Sequence, residues 1–134
     1  MTTPFSAEEV LKAIGKLKTH KAPGSTGITS ECIKFGSPAL HTAITDLMNG
    51  MWATGYTPEG WQLATTILIH KKGSKQEIGN YRPITLLNTL FKIWEKLLEM
   101  RLREYAENTG KISSLQLGSR KGKGTDMAIN IPHV

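Results

Sequence analysis

The sequence predicts an α+β fold that is mostly α-helical, with helices packed around a small antiparallel β-ribbon. Three observations predict it. Apolar residues recur at helical spacing in several segments, a β-branched run covers residues 65–69, and a polar turn joins that run to a second short run at 81–86. With 134 residues, the chain has the size of one domain that buries its own hydrophobic core.

The first helix is predicted over residues 7–18. Ser6 followed three residues later by Glu9 is a capping box, and Phe5 with Val10 is the matching hydrophobic staple. Apolar residues then follow at helical spacing as far as Leu17. The segment 21–27 contains Pro and Gly, which end the helix.

Two further helices are predicted before the ribbon. A short one covers residues 30–35. Ser37 followed by Pro38 is an N-cap with Pro at the first helical position, and Gly55 is the expected stop of that helix. Its apolar face is predicted to contain Leu40, Ile44, Leu47, Met48, Met51 and Trp52.

The ribbon is predicted from two short apolar runs around a polar turn. Residues 65–69 are β-branched or aliphatic, residues 73–80 are polar and turn-like, and residues 81–86 return as the second strand. Pro83 has no N–H to donate, so its strand must be an edge strand or must turn that side away from the ladder.

The longest helix is predicted over residues 89–107, with Asn88 as its cap and Gly110 as its stop. Its inward face is predicted to contain Leu90, Ile93, Trp94, Leu97, Leu98, Leu102 and Tyr105. A loop rich in Gly, Lys and Arg follows at 119–124, and Thr125-Asp126 is predicted to begin a further helix.

The net positive charge of the chain comes entirely from its second half. Residues 1–67 carry five Lys and five acids, whereas residues 68–134 carry twelve Lys or Arg and six acids, which gives the net charge of +6. A basic half beside a neutral half indicates a polyanionic partner.

Several classes of protein are disfavoured. Cys32 is the only cysteine, so an intrachain disulfide and a cysteine zinc cluster are excluded, and a buried thiol on a helix is expected. The four histidines have no metal-ligand spacing. Without a secretory leader or an apolar run long enough to span a membrane, an intracellular protein of the cytoplasm or nucleus is expected, with no membrane partner.

Three cations lie at the ends of the two predicted strands: Lys71, Lys72 and Arg82. Lys and Arg side chains on a hairpin can hold a triphosphate electrostatically, and the planar fork of Arg can bind two phosphate oxygens at once. Charge alone leaves a solvated basic turn as the other interpretation.

Six motifs around these cations follow one another in a specific order. They are Lys21-Ala22-Pro23-Gly24-x-x-Gly27-Ile28, Trp61-x-x-Ala64, Ile69-x-Lys71-Lys72-Gly73, Asn80-Tyr81-Arg82-Pro83-Ile84-Thr85-Leu86-Leu87-Asn88, Lys92-Ile93-x-Glu95-Lys96 and Gln116-x-Gly118-x-Arg120. From Phe5 to Ile129, this order resembles the amino-terminal part of the reverse transcriptase domain of non-LTR, LINE-type retrotransposons.

The resemblance implies a fold, a reaction and partners. The chain would be a single partial domain over residues 1–134, the fingers subdomain of a right-hand polymerase, with palm and thumb absent. The family adds deoxynucleotides to a DNA primer on an RNA template and uses Mg²⁺. Lys71, Lys72 and Arg82 would then bind the nucleotide triphosphate, whereas Lys21, Arg120, Lys121 and Lys123 would bind the template or primer strand.

The sequence also departs from the family pattern. The family's Pro-Gly-Pro-Asp-Gly loop is Pro23-Gly24-Ser25-Thr26-Gly27 here, and Ser119 replaces an aromatic residue. Two-metal catalysis needs carboxylates that bridge cations about 4 Å apart. The only aspartates are Asp46 and Asp126, and there is no Tyr-x-Asp-Asp. We therefore expect that this chain alone binds no catalytic Mg²⁺ and does not polymerise.

Two other interpretations remain open at this point. One is a non-catalytic RNA- or DNA-binding protein derived from such an element. The other is a helical interaction protein or an inert relic.

Overall fold

The computed structural model describes residues 3–61, 63–113, 116, 118, 120 and 122. Two compact units divide the chain, residues 1–99 and residues 100–134. The elements in chain order are the helices α1 (Ala7–Gly15), α2 (Ser30–Lys34) and α3 (Pro38–Thr54), the strands β1 (Thr65–His70) and β2 (Tyr81–Leu86), and the helix α4 (Thr89–Asn108). Short 3-10 turns cover Glu59–Trp61 and Ile78–Asn80.

Helix α1 begins with the predicted capping box. The Glu9 backbone N–H donates to Ser6 Oγ at 3.1 Å, and the Ser6 N–H donates to Glu9 Oε2 at 2.8 Å. The helix ends at Gly15, three residues before the predicted end. Lys34 Nζ donates to the carbonyl oxygens of Gly15 and Leu17 at 3.0 and 3.1 Å, so a cation satisfies carbonyls that the end of the helix leaves open.

Replacing Ser6 by Ala is expected to lower the free energy of unfolding by about 1 kcal/mol, because the Glu9 N–H loses its acceptor. Urea unfolding followed by far-UV circular dichroism measures the change. Ser6→Thr is the matched control, since it keeps the hydroxyl and should lie close to wild type. Equal losses in both variants would contradict the capping role.

The core lies in the first unit, where α1 packs against α2 and α3. Its apolar members are Phe5, Val10, Ala13, Ile14, Leu17, Ile33, Ile44, Met48, Met51, Trp61, Ile93 and Leu97. Asn49 on α3 joins the chain start to this core, since its side chain accepts from the Phe5 N–H at 2.6 Å and donates to the Phe5 carbonyl at 3.0 Å.

An aromatic cluster completes the core. The ring of Phe5 lies 5.2 Å from that of Trp52 and 5.9 Å from that of Trp94, and the two Trp rings are 6.3 Å apart. These tilted and edge-to-face arrangements are the ones that aromatic pairs prefer. Core packing of the tryptophans, rather than base stacking, is what the sequence predicts for these side chains.

Strands β1 and β2 form a two-stranded antiparallel sheet, in which Thr65 pairs with Leu86 at one end and His70 with Tyr81 at the other. The predicted α+β class, mostly helical with one antiparallel ribbon, is confirmed. Most residues of both strands are exposed. Pro83 fits the prediction, since both strands of a two-stranded sheet are edges.

Some predicted burials are wrong. Leu102 and Tyr105 are 58% and 44% exposed, and Cys32 is exposed as well. Helical spacing tells on which face a side chain lies, but burial also requires another element to cover that face.

Helix ends follow the predicted signals elsewhere. Ser37 accepts a hydrogen bond from the Leu40 N–H at 3.3 Å, and Gly55 ends α3 in the left-handed conformation. Gly110, at a φ of 63°, follows the end of α4. Over the described part of the chain, no helix has the length and apolar character needed to cross a membrane.

Candidate nucleotide and nucleic-acid interface

The tip of the ribbon is a turn held by its own polar groups. Asn80 Nδ2 donates to the Ser74 carbonyl at 2.8 Å and to Glu77 Oε2 at 3.3 Å, while the Asn80 carbonyl accepts from the Lys71 N–H at 2.7 Å. Gly73 has a φ of 83° and lies so close to the Asn80 side chain that a Cβ would be 2.7 Å from Nδ2. These contacts fix the path of the backbone between the strands.

Tyr81 and His70 face each other on one side of the ribbon. Their rings are 5.2 Å apart, and the Tyr81 hydroxyl donates to the Lys75 carbonyl at 3.0 Å. From the sequence alone, Tyr81, an aromatic residue beside Arg82, is equally compatible with base stacking and with structural packing. The structure gives its ring and its hydroxyl partners within the ribbon.

The three predicted nucleotide-binding residues are all exposed and lie near this tip. Arg82 on β2 pairs with Ile69 on β1. Lys71 follows the last residue of β1 and continues the ladder, since its N–H donates to the carbonyl of Asn80. Because side chains alternate between the faces of a strand, Arg82 and Lys71 belong to the same face as diagonal neighbours. Two exposed cations on one face can contact a single polyphosphate chain.

The base of the ribbon is joined to the loop that begins with Pro23. A Cβ on Gly24 would lie 2.6 Å from the Asn88 nitrogen and 2.6 Å from the Leu87 carbonyl carbon, so only glycine permits this backbone approach. Asn88 Oδ1 accepts from the Thr26 N–H at 3.2 Å and from Ser25 Oγ at 3.2 Å.

Asn88 reaches a third segment as well. Its Nδ2 donates to the Gly60 carbonyl at 3.0 Å, and the residue is 1% exposed. The neighbouring Thr89 hydroxyl donates to the Ile28 carbonyl at 2.5 Å. Asn88 directly precedes α4 as predicted, but its side chain joins three separate segments of the chain.

Lys21 lies exposed in the segment between α1 and this loop. Just before it, His20 has a φ of 55°, and its N–H donates to Glu31 Oε1 on α2. The hydrogen bond from the His20 backbone holds the pKa of the Glu31 carboxyl below its usual range. Helix α2 therefore fixes the segment that carries Lys21.

Arg120 belongs to the second unit and is engaged by Glu107. Its Nε and Nη2 donate to the two carboxylate oxygens at 3.0 and 2.7 Å, and Nη1 donates to the Ser113 carbonyl at 3.2 Å. The hydrogen bond to Glu107 raises the pKa of Arg120. To contact a strand, this guanidinium would have to share or exchange its carboxylate partner. Lys121 and Lys123 lie outside the described residues.

Clusters of metal-ligating side chains are absent from the described residues. In the ranges 3–61 and 63–113 and the few positions beyond them, no three His, Cys, Asp or Glu side chains come together as a ligand group. The role of Mg²⁺ in the intact family stays an implication of the resemblance.

No family model matches the chain. Curated relatives match it over most of its length. They include the RNA-directed DNA polymerase from mobile element jockey of Drosophila melanogaster, 35% identical over 129 residues, and the probable RNA-directed DNA polymerase from transposon X-element of the same fly, 33% identical over 124 residues. A Pol polyprotein of the type-1 retrotransposable element R1 of Bradysia coprophila is 28% identical over 123 residues.

The alignments cover most of this chain but little of the relatives. They include 93%, 92% and 90% of this chain, and 14%, 14% and 12% of the three relatives in the same order. The chain is therefore similar to one part of the RNA-directed DNA polymerases of LINE-type, non-LTR retrotransposons.

Proposed function

We propose that this chain is the fingers part of a reverse transcriptase domain, which binds the incoming deoxynucleotide triphosphate and the template or primer strand. The similarity to retrotransposon polymerases supports this proposal. The observation that carries it is the ribbon, where exposed cations lie on one face beside a turn that its own hydrogen bonds hold in shape.

The chemistry of the ribbon suits a triphosphate. Arg82 can offer two parallel N–H groups to oxygens of one phosphate, and Lys71 can offer a point charge to the next. Lys72 adds a third cation in the turn. An Arg or Lys hydrogen bond to a charged acceptor contributes about 1.5–3 kcal/mol, so losing two of them should be measurable.

The double variant Lys71→Gln/Arg82→Gln tests this function. We expect it to bind a fluorescent deoxynucleotide triphosphate at least about tenfold more weakly than wild type, because two charge-assisted contacts are lost. Equilibrium titration with and without Mg²⁺ measures the change, and circular dichroism checks the fold.

The matched control is Lys12→Gln/Lys111→Gln, which removes the same charge at two exposed lysines that are not part of the ribbon. It should change the dissociation constant by less than about twofold, since screened charges act weakly over distance. Equal weakening in both double variants would mean that only net charge matters, and triphosphate binding by the ribbon cations would be rejected.

The second candidate is a non-catalytic protein that binds RNA or DNA. The net charge of +6 favours it. Strand binding that weakens steeply with salt, in the absence of triphosphate binding, would select this candidate, because each phosphate contact releases counterions. A cytoplasmic or nuclear location goes with both candidates, since RNA and DNA strands are found there.

A further inference from the structure

A groove of about 350 Å³ lies within the first unit and has no role in the ribbon site. Its walls come from the end of α1 and the turn after it, the segment before Pro23, the start of α2, and the first half of α4. The lining residues are Ala13, Lys16, Leu17, Lys18, Lys21, Ser30, Lys92 and Lys96.

Five of these eight lining residues are lysines, and none carries a carboxylate. Lys96 Nζ donates to Glu99 Oε2 at 2.7 Å. Three of the lysines belong to the half of the chain that has no net charge, and two come from the basic half. The fold therefore concentrates charge that is spread out along the sequence.

The groove has an apolar floor and a cationic rim. Ala13 and Leu17 are buried, whereas Lys16, Lys18 and Lys21 are exposed, and Lys92 is half-buried. Long lysine side chains can cover apolar surface with their stems and keep the ammonium at the edge. Such a site offers contacts to the apolar face of a sugar or base and to a phosphate at the same time.

Neighbouring side chains fix both edges where the first-half lysines lie. Lys34 holds the carbonyl oxygens of Gly15 and Leu17, on either side of Lys16. Glu31 holds the His20 N–H, between Lys18 and Lys21. The lysines thus project from backbone that is held in place, which lowers the entropic cost of binding a ligand.

We propose that this lysine groove binds the sugar–phosphate backbone of a single nucleic-acid strand. The inference rests on the proposed function, because it assigns the strand-binding surface of the same segment. Lys92 and Lys96 are one helical turn apart, about 6 Å along the axis. That distance is close to the spacing of successive phosphates in an extended strand and longer than the spacing within a triphosphate.

The double variant Lys16→Gln/Lys92→Gln tests the groove. The probe is a fluorescein-labelled 12-nucleotide oligo(U) RNA, with oligo(dT) as a second arm, and anisotropy is measured between 50 and 200 mM NaCl. We expect about tenfold weaker binding at low salt. The slope of log K against log salt should fall by about 1.4, since each contact to a single strand contributes about 0.7.

Lys75→Gln/Lys111→Gln controls for the loss of two charges at exposed lysines that do not line the groove, and it should leave both the affinity and the slope within error of wild type. If Lys16→Gln/Lys92→Gln unfolds in a thermal melt, Lys18→Gln/Lys21→Gln replaces it, because both of these lysines are exposed. The same loss of affinity and slope is then expected.

The outcomes separate this inference from the function on which it rests. Strand binding by Lys16→Gln/Lys92→Gln that equals the control, with triphosphate binding still lost in Lys71→Gln/Arg82→Gln, would reject the groove as a strand site. The ribbon would then remain the triphosphate site. Parallel loss of triphosphate binding in the groove variant would make the groove a nucleotide site, which also overturns the inference. Triphosphate binding by wild type without any strand binding would overturn it as well.

Discussion

Replacing Gly24 by Ala is expected to lower the free energy of unfolding by about 3 kcal/mol, the upper part of the range for inserting an atom into a packed site. The new Cβ would lie 2.6 Å from backbone atoms of both Leu87 and Asn88. Backbone atoms cannot rotate away as the end of a side chain can, so the loop and the start of α4 must separate. Urea unfolding followed by far-UV circular dichroism measures the loss.

Gly50→Ala is the matched control, because it adds the same methyl group in the middle of α3. A Cβ at Gly50 meets nothing within 4 Å. Alanine is favoured over glycine in a helix interior by about 0.5–1 kcal/mol, so this variant should be more stable than wild type. A Gly24→Ala protein as stable as Gly50→Ala would contradict the close approach of the two backbones.

Replacing Asn88 by Ala is expected to lower the free energy of unfolding by about 2 kcal/mol, because two part-buried hydrogen bonds from a buried side chain to backbone groups are lost. The Thr26 N–H loses Oδ1, and the Gly60 carbonyl loses Nδ2. Asn88 itself is 1% exposed, so removing its amide also leaves a space inside the fold. The same urea titration measures this variant.

Two further substitutions divide the loss of stability among the three hydrogen bonds of the Asn88 side chain. Ser25→Ala removes only the contact to Oδ1 at 3.2 Å, made by an exposed residue, and should cost less than about 1 kcal/mol. Asn88→Asp keeps an acceptor for Thr26 but turns a carboxylate oxygen toward the Gly60 carbonyl, so it should remain strongly destabilising. An Asn88→Asp protein near wild-type stability would show that the bond to Gly60 is unimportant.

The elements that the sequence predicted well are those with local signals. Strand β2 has the predicted bounds, since Pro83 and the polar turn restrict where it can begin and pair. The capping box at Ser6 and the left-handed stop at Gly55 need only residues within one turn of the helix end. The end of α1 was placed too late, because the Lys34 contact that satisfies its carbonyls comes from 17 and 19 residues away.

The candidate sites also differ in how much of each could be predicted from local sequence. The cations of the ribbon are close in sequence and could be named from it. Of the lysine groove, only Lys21 was predicted to bind a strand, because the other members come from segments that meet only in the fold. Its one local signal is the spacing of Lys92 and Lys96, which places them on one face of a helix. Nothing in the sequence around Arg120 indicated that Glu107 would engage its guanidinium.

The ribbon has a mechanical consequence that follows from its exposure on both faces. The base of the ribbon adjoins Gly60 and Asn88, and its tip lies six paired residues from that base. Six residues extend about 20 Å, so a rotation of about 10° at the base would displace the tip by about 3 Å. A shift of that size equals the length of a hydrogen bond. The rigidity of the hydrogen bonds that the buried Asn88 side chain makes at the base therefore limits how precisely the cations at the tip are positioned.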